Sequence, residues 1–135
     1  MKKIPAIFCD IDGVTTKKFA TPCWDSFGEP NDHMVRVIRS LAKDFTIVFI
    51  TGRWAMGRDK VAAHIKSFLP DVESEIFCKP RDYPGTTAEY KLATIKELEE
   101  KGYEFFLGFD DHFAVVGLLH NHGMPVAHVI GSPHC

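Results

Sequence analysis

A chain of 135 residues, 45% hydrophobic and 25% charged, has the size and composition of one folded domain, which excludes disorder, collagen and coiled coil. Such a length buries roughly two-thirds of its surface, enough for a core without staples, so a single domain over 1–135 is expected. The net charge of −2 supplies no global basic field to recruit nucleic acid or an anionic membrane.

Short apolar runs alternate with segments of helical period. Strands are predicted at Ile4–Asp10, Phe45–Thr51, Glu75–Cys78, Glu104–Phe109 and Val126–Ile130, all rich in β-branched or aromatic residues. Helices are predicted at about Asp32–Lys43, Ala55–Phe68, Ala88–Lys101 and Phe113–Asn121. The first carries Met34, Val35, Ile38 and Leu41 on one face. The third opens with Thr86 and Glu89 at capping-box spacing and ends before Gly102. This alternation predicts an α/β fold, a three-layer α/β/α sandwich with a central parallel sheet. In such sheets the ligand crevice lies beyond the carboxyl ends of the strands.

Cys9, Cys23, Cys78 and Cys135 form no C-x-x-C pair and read as reduced thiols. The apolar run Ile4–Cys9 is too short for a signal peptide, and no run approaches a membrane span, so a cytoplasmic protein without membrane contact is expected. The tail from His128 to Cys135 lacks a partner cluster for a metal.

The strand ends carry the chemistry. Asp10 and Asp12 follow the first strand and point to one side of an extended chain, with Gly13 behind them. Two neighbouring carboxylates repel, so such a pair calls for a cation or a raised pKa. After the second strand come Thr51, Gly52 and Arg53: a hydroxyl, a flexible turn and a guanidinium fork suited to phosphate. After the fourth come Asp110 and Asp111. A hard-cation site thus faces an anion site. Lys79 and Lys91 are both candidates to complete the anion site. Lys91 is preferred because helix side chains lean toward the N-terminus, which returns its ammonium to the crevice rim. Each residue also has a plainer reading, Asp111 as the N-cap of the fourth helix and Lys91 as a solvated lysine among them, but the ordered set at four element ends favours chemistry.

These residues resemble the haloacid dehalogenase (HAD) superfamily of phosphotransferases. Its motifs are matched in order by IFCDIDGV, by IVFITGR, by a lysine before or within a helix, and by FFLGFDD, together spanning residues 4 to 111. Within it the chain looks most like the 3′-phosphatase domain of phage-type polynucleotide kinase, on Thr51-Gly52-Arg53, on Arg81, Asp82 and Lys91, and on the acidic pair. Val14 stands where Thr is commoner, and no phosphate loop of the kinase type is present.

The resemblance implies a Rossmann-like phosphatase without a large cap. Asp10 would be the nucleophile and Asp12 the general acid and base. Mg²⁺ would sit on Asp10, the Asp12 backbone carbonyl, Asp110 and Asp111. Thr51 and Lys91 would hold the phosphoryl oxygens, and Gly52, Arg53 and Arg81 would contact substrate. The expected partner is a phosphorylated substrate: a nucleotide, a nucleic-acid end or a small metabolite. A homo-oligomer stays open. Residues 11–30 form the one segment able to cover the site as a flap, and Trp24 or Trp54 within reach of it could stack on a base or pack against the sheet. A sugar-phosphate phosphatase keeps the same chemistry. A receiver-type phosphoacceptor domain is the alternative from another class, although there the acceptor Asp would follow the third strand, which here ends in Cys78-Lys79.

Overall fold

A computed structural model describes residues 2–17, 26–54 and 57–130. Five strands and four helices alternate through them: β1 (Ile4–Cys9), α1 (Asp32–Leu41), β2 (Thr46–Trp54), α2 (Arg58–Phe68), β3 (Ser74–Lys79), α3 (Thr87–Glu100), β4 (Tyr103–Asp110), α4 (Phe113–His122) and β5 (Val126–His128). The strands form one parallel sheet in the order β3-β2-β1-β4-β5. Side-chain alternation divides the core between its faces. Ile7 and Cys9 of β1 join Ile47 and Phe49 of β2 beneath α1 and α2, through Val35, Ile38, Val61 and Ile65. Ala6 and Phe8 join Val48 and Ile50 beneath α3 and α4, through Ile95, Leu98, Val115 and Leu119. This is the expected three-layer Rossmann-like sandwich, and among the described residues no cap domain stands over it.

The strand order matters for function. A receiver domain is flavodoxin-like, in the order 2-1-3-4-5, whereas here the first strand occupies the centre between β2 and β4. The receiver alternative is therefore set aside. With β1 central, Asp10 is delivered between the ends of β2 and β4, and its backbone N–H donates to the Phe109 carbonyl at 3.0 Å.

Most element ends fall within two residues of expectation, but α2 begins at Arg58 rather than Ala55, and β2 differs as much at its end. It runs through Gly52 to Trp54 rather than stopping at Thr51, with Trp54 paired to Lys79 across an irregularity in the ladder. Gly52 is therefore no flexible turn. A Cβ there would lie 2.8 Å from Thr87 Cγ2, so glycine allows the end of β2 to approach the start of α3. The Thr86–Glu89 capping box is present, with Glu89 N–H donating to Thr86 Oγ1 and Thr86 N–H to Glu89 Oε1, both at 3.1 Å. It satisfies two of the helix's orphan donors and is worth about 1 kcal/mol.

After β1 the chain turns tightly. Thr15 and Thr16 are buried and donate their hydroxyls to the Ile11 carbonyl, and Thr16 bridges Pro30 in antiparallel fashion. The base of the expected flap is thus pinned, while Phe19, Pro22, Cys23 and Trp24 lie outside the described residues, as do His134 and Cys135 of the tail. Among the described residues no helix is long and apolar enough to cross a membrane.

Candidate active site

Lys91 reaches the crevice from the second turn of α3. Its ammonium lies 2.8 Å from Asp110 Oδ2, 3.0 Å from Asp10 Oδ1 and 5.7 Å from the Phe8 ring centre. All three charged groups are nearly sequestered, with side-chain exposures of 3% for Lys91, 9% for Asp10 and 0% for Asp110. Burial alone would push the lysine down, but the two carboxylates outweigh it and hold the ammonium above its ordinary value. Asp10 moves the other way from a normal carboxylate. Burial and the neighbouring Asp110 raise it well above the usual range, Lys91 opposes, and Asp111 and Asp12 add to the rise. Lys79 is half-buried at the end of β3 and makes no ion pair among the described residues.

The carboxylates exceed the cations at this point. Asp10, Asp110 and Asp111 each offer an oxygen within 4.8 Å of the others, a group that could hold a metal ion. An all-oxygen donor set suits a hard cation such as Mg²⁺ or Ca²⁺ and not a soft one. The mutual repulsion that lifts Asp10 is what a divalent ion would relieve, so the residues present fit the group. Asp110 is further fixed by the His112 N–H, which donates to Oδ1 at 2.9 Å. Asp111 does not cap α4, as its plainer reading had it; His112 is the N-cap and accepts from the Ala114 N–H through Nδ1 at 3.2 Å. Gly13 makes room for Asp111. Its φ of 86° is left-handed, and a Cβ there would fall 2.2 Å from Asp111 Oδ2.

Asp12 stands apart from this cluster. Its carboxylate is held by Arg53 as a fork, Nε to Oδ2 at 2.9 Å and Nη2 to Oδ1 at 3.0 Å. The same Nη2 donates to the Ser26 carbonyl at 2.8 Å, and the guanidinium lies 4.0 Å from the Phe27 ring centre. Arg53 thus ties the end of β2 to the turn after β1 and to the Ser26–Phe27 segment that precedes α1. Thr51 is buried, and its Oγ1 accepts from the Arg53 N–H at 3.1 Å. Arg81 joins none of these ion pairs; it is exposed, with its guanidinium 4.8 Å from the Trp54 ring centre.

One neighbour had no signal in the sequence. His64 of α2 stacks on Phe27 at 4.0 Å and meets Phe68 edge-on at 5.0 Å. Its Nε2 is buried with no hydrogen-bond partner among the described residues. Burial lowers the imidazole to about 4, with Arg53 adding to the fall and Asp12 opposing it. A single histidine on an amphipathic helix gives no hint of this, because the contact depends on where the chain before α1 places Phe27.

No family model and no curated protein matches the sequence. Solved structures do resemble it in fold. A chain described as "Structure of the Pnkp1/Rnl/Hen1 RNA repair complex" superposes with a TM-score of 0.82 at 16% identity, over 94% of this chain and 42% of the solved one. A second, "Structure of Pnkp1/Rnl/Hen1 complex", gives a TM-score of 0.78 at 18% identity, over 94% and 46%. The chain therefore spans less than half the length of either, and at such identities the likeness is one of fold.

Proposed function

We propose that this chain is an HAD-type phosphomonoester hydrolase that works through an aspartyl-phosphate on Asp10, with a polynucleotide 3′-phosphate as its substrate. The observation that carries the reading is the Lys91 ammonium, buried between Asp10 and Asp110 at the carboxyl ends of the strands. A structural lysine rarely occupies such a place, since burying it gains little unless the charges have work to do. The polynucleotide is favoured by the absence of a cap among the described residues and by the fold shared with chains of an RNA repair complex.

The chemistry divides among the chain's own residues. Asp10 attacks phosphorus and forms the acyl-phosphate bond as the bond from phosphorus to the ester oxygen breaks. Asp12 supplies the proton that this oxygen takes up. In the second half-reaction Asp12 accepts a proton from water as the water attacks phosphorus and frees Asp10. Lys91 neutralises charge on the transferring group, and Thr51, whose oxygen already accepts from Arg53, keeps its hydroxyl proton to donate to a phosphoryl oxygen. Arg53 offers a phosphate the same fork it now gives Asp12, so substrate competes for Arg53 and frees Asp12 to take up from solvent the proton that it passes to the ester oxygen. Asp10, Asp110, Asp111 and the Asp12 carbonyl would hold Mg²⁺, which when bound offsets repulsion between an anionic nucleophile and an anionic phosphate.

The test compares wild type with Asp10→Asn, in Mg²⁺, on a 3′-phosphorylated oligonucleotide, mononucleotides and sugar phosphates. The oligonucleotide is expected to be hydrolysed fastest, and Asp10→Asn to lose roughly 10⁴-fold or more. Full activity in the variant overturns the mechanism. Fastest turnover of a sugar phosphate overturns the substrate and retains the chemistry.

A further inference from the structure

Helix α4 starts immediately after the acidic pair, and its first residue is exposed. Phe113 is 75% exposed, while Val115 and Leu119 supply the buried stripe of the same helix at 2% and 0%. Nothing in helix formation asks for a phenyl ring at this first position, and leaving it in water forgoes the gain of burying it.

The ring stacks on His112, with ring centres 5.2 Å apart and planes 12° from parallel. The His112 backbone is bonded to Asp110 Oδ1, and the His112 ring is oriented by the Ala114 N–H. Two flat rings thus stack on one another beside Asp110, whose other oxygen faces Lys91.

We propose that the His112–Phe113 pair is a platform for a nucleobase of the substrate, so that the base of the nucleotide attached to the phosphate stacks at the β4 rim of the crevice. The proposal rests on the hydrolytic reading above and specifies what lies beyond the phosphate. A flat, exposed aromatic surface beside a phosphate site complements a group that is itself flat and joined to that phosphate through a sugar. Every base has a π-face, so such a platform favours polynucleotides over sugar phosphates without demanding a sequence.

The test is a cycle of two changes, Phe113→Ala and removal of the terminal base. The probes are a 3′-phosphorylated oligonucleotide, the same strand with an abasic terminal nucleotide, and glycerol phosphate. In Phe113→Ala the ratio of kcat/KM for the oligonucleotide to that for glycerol phosphate is expected to fall about tenfold, and in Phe113→Trp to be kept. Wild type should lose about as much on the abasic strand, and Phe113→Ala should be indifferent to the missing base. Equal losses on the two strands overturn the platform and point to Phe113 as a surface for a protein partner. If wild type hydrolyses none of the probes, the hydrolytic reading fails by itself. Equilibrium binding of the two strands to wild type and Phe113→Ala then decides the platform, and equal affinities across the cycle overturn it.

Discussion

Lys91 donates to Asp110 Oδ2 at 2.8 Å from a position almost wholly removed from water. Removing the ammonium leaves Asp10 and Asp110 buried and opposed, a condition that typically costs about 3–5 kcal/mol. Lys91→Ala is expected to lose that much stability in thermal or denaturant unfolding without divalent ions, and to lose most turnover. Lys79→Ala, at a half-buried position without an ion pair among the described residues, should change both little. The reverse ranking would transfer the phosphate-binding role to Lys79.

Gly13→Ala tests the room made for Asp111. The left-handed backbone by itself costs the variant about 1 kcal/mol, and the new Cβ must displace the Asp111 carboxylate, 2.2 Å away. The expected outcome is a lower midpoint of unfolding together with a higher Mg²⁺ concentration for half-maximal activity. A stability loss without any change in the Mg²⁺ requirement would remove Asp111 from the metal group.

His64 predicts an acid-sensitive fold. Its folded value of about 4 lies below the ordinary 6.5, so the unfolded chain binds the proton more readily between those limits. The contribution is complete above pH 6.5 and is lost as pH falls toward 4. Wild type is therefore expected to lose more stability over this window than His64→Phe, which cannot titrate and keeps a ring against Phe27. Parallel stability–pH curves for the two proteins would show that His64 is protonated in the folded state as easily as in the unfolded one.

The order and type of every element could be read from the sequence because strands buried on both faces appear as unbroken apolar runs, as in AIFC of β1 and IVFI of β2. The gathering of Asp10, Asp110 and Lys91 was legible for a related reason. A parallel sheet brings its carboxyl ends together, and the lean of helix side chains toward the N-terminus separates Lys91 from Lys79. The extension of β2 was hidden because Gly52 reads as a strand breaker until Thr87 is seen packed against it. The Arg53–Asp12 fork was hidden because it joins residues 41 positions apart, and a guanidinium on one strand end does not announce which neighbouring anion it will take. The exposure of Phe113 was equally silent, since an aromatic at a helix start reads as core.

A parallel sheet also has a second end. The turns at Lys43–Phe45 and Lys101–Gly102 enter β2 and β4 at their amino ends, one strand length or roughly 20 Å from the carboxylates. The two ends of the sheet can thus be addressed separately. Fluorophores, affinity tags or a surface tether attached at Asp44 or Lys101 leave the carboxylate end facing solution.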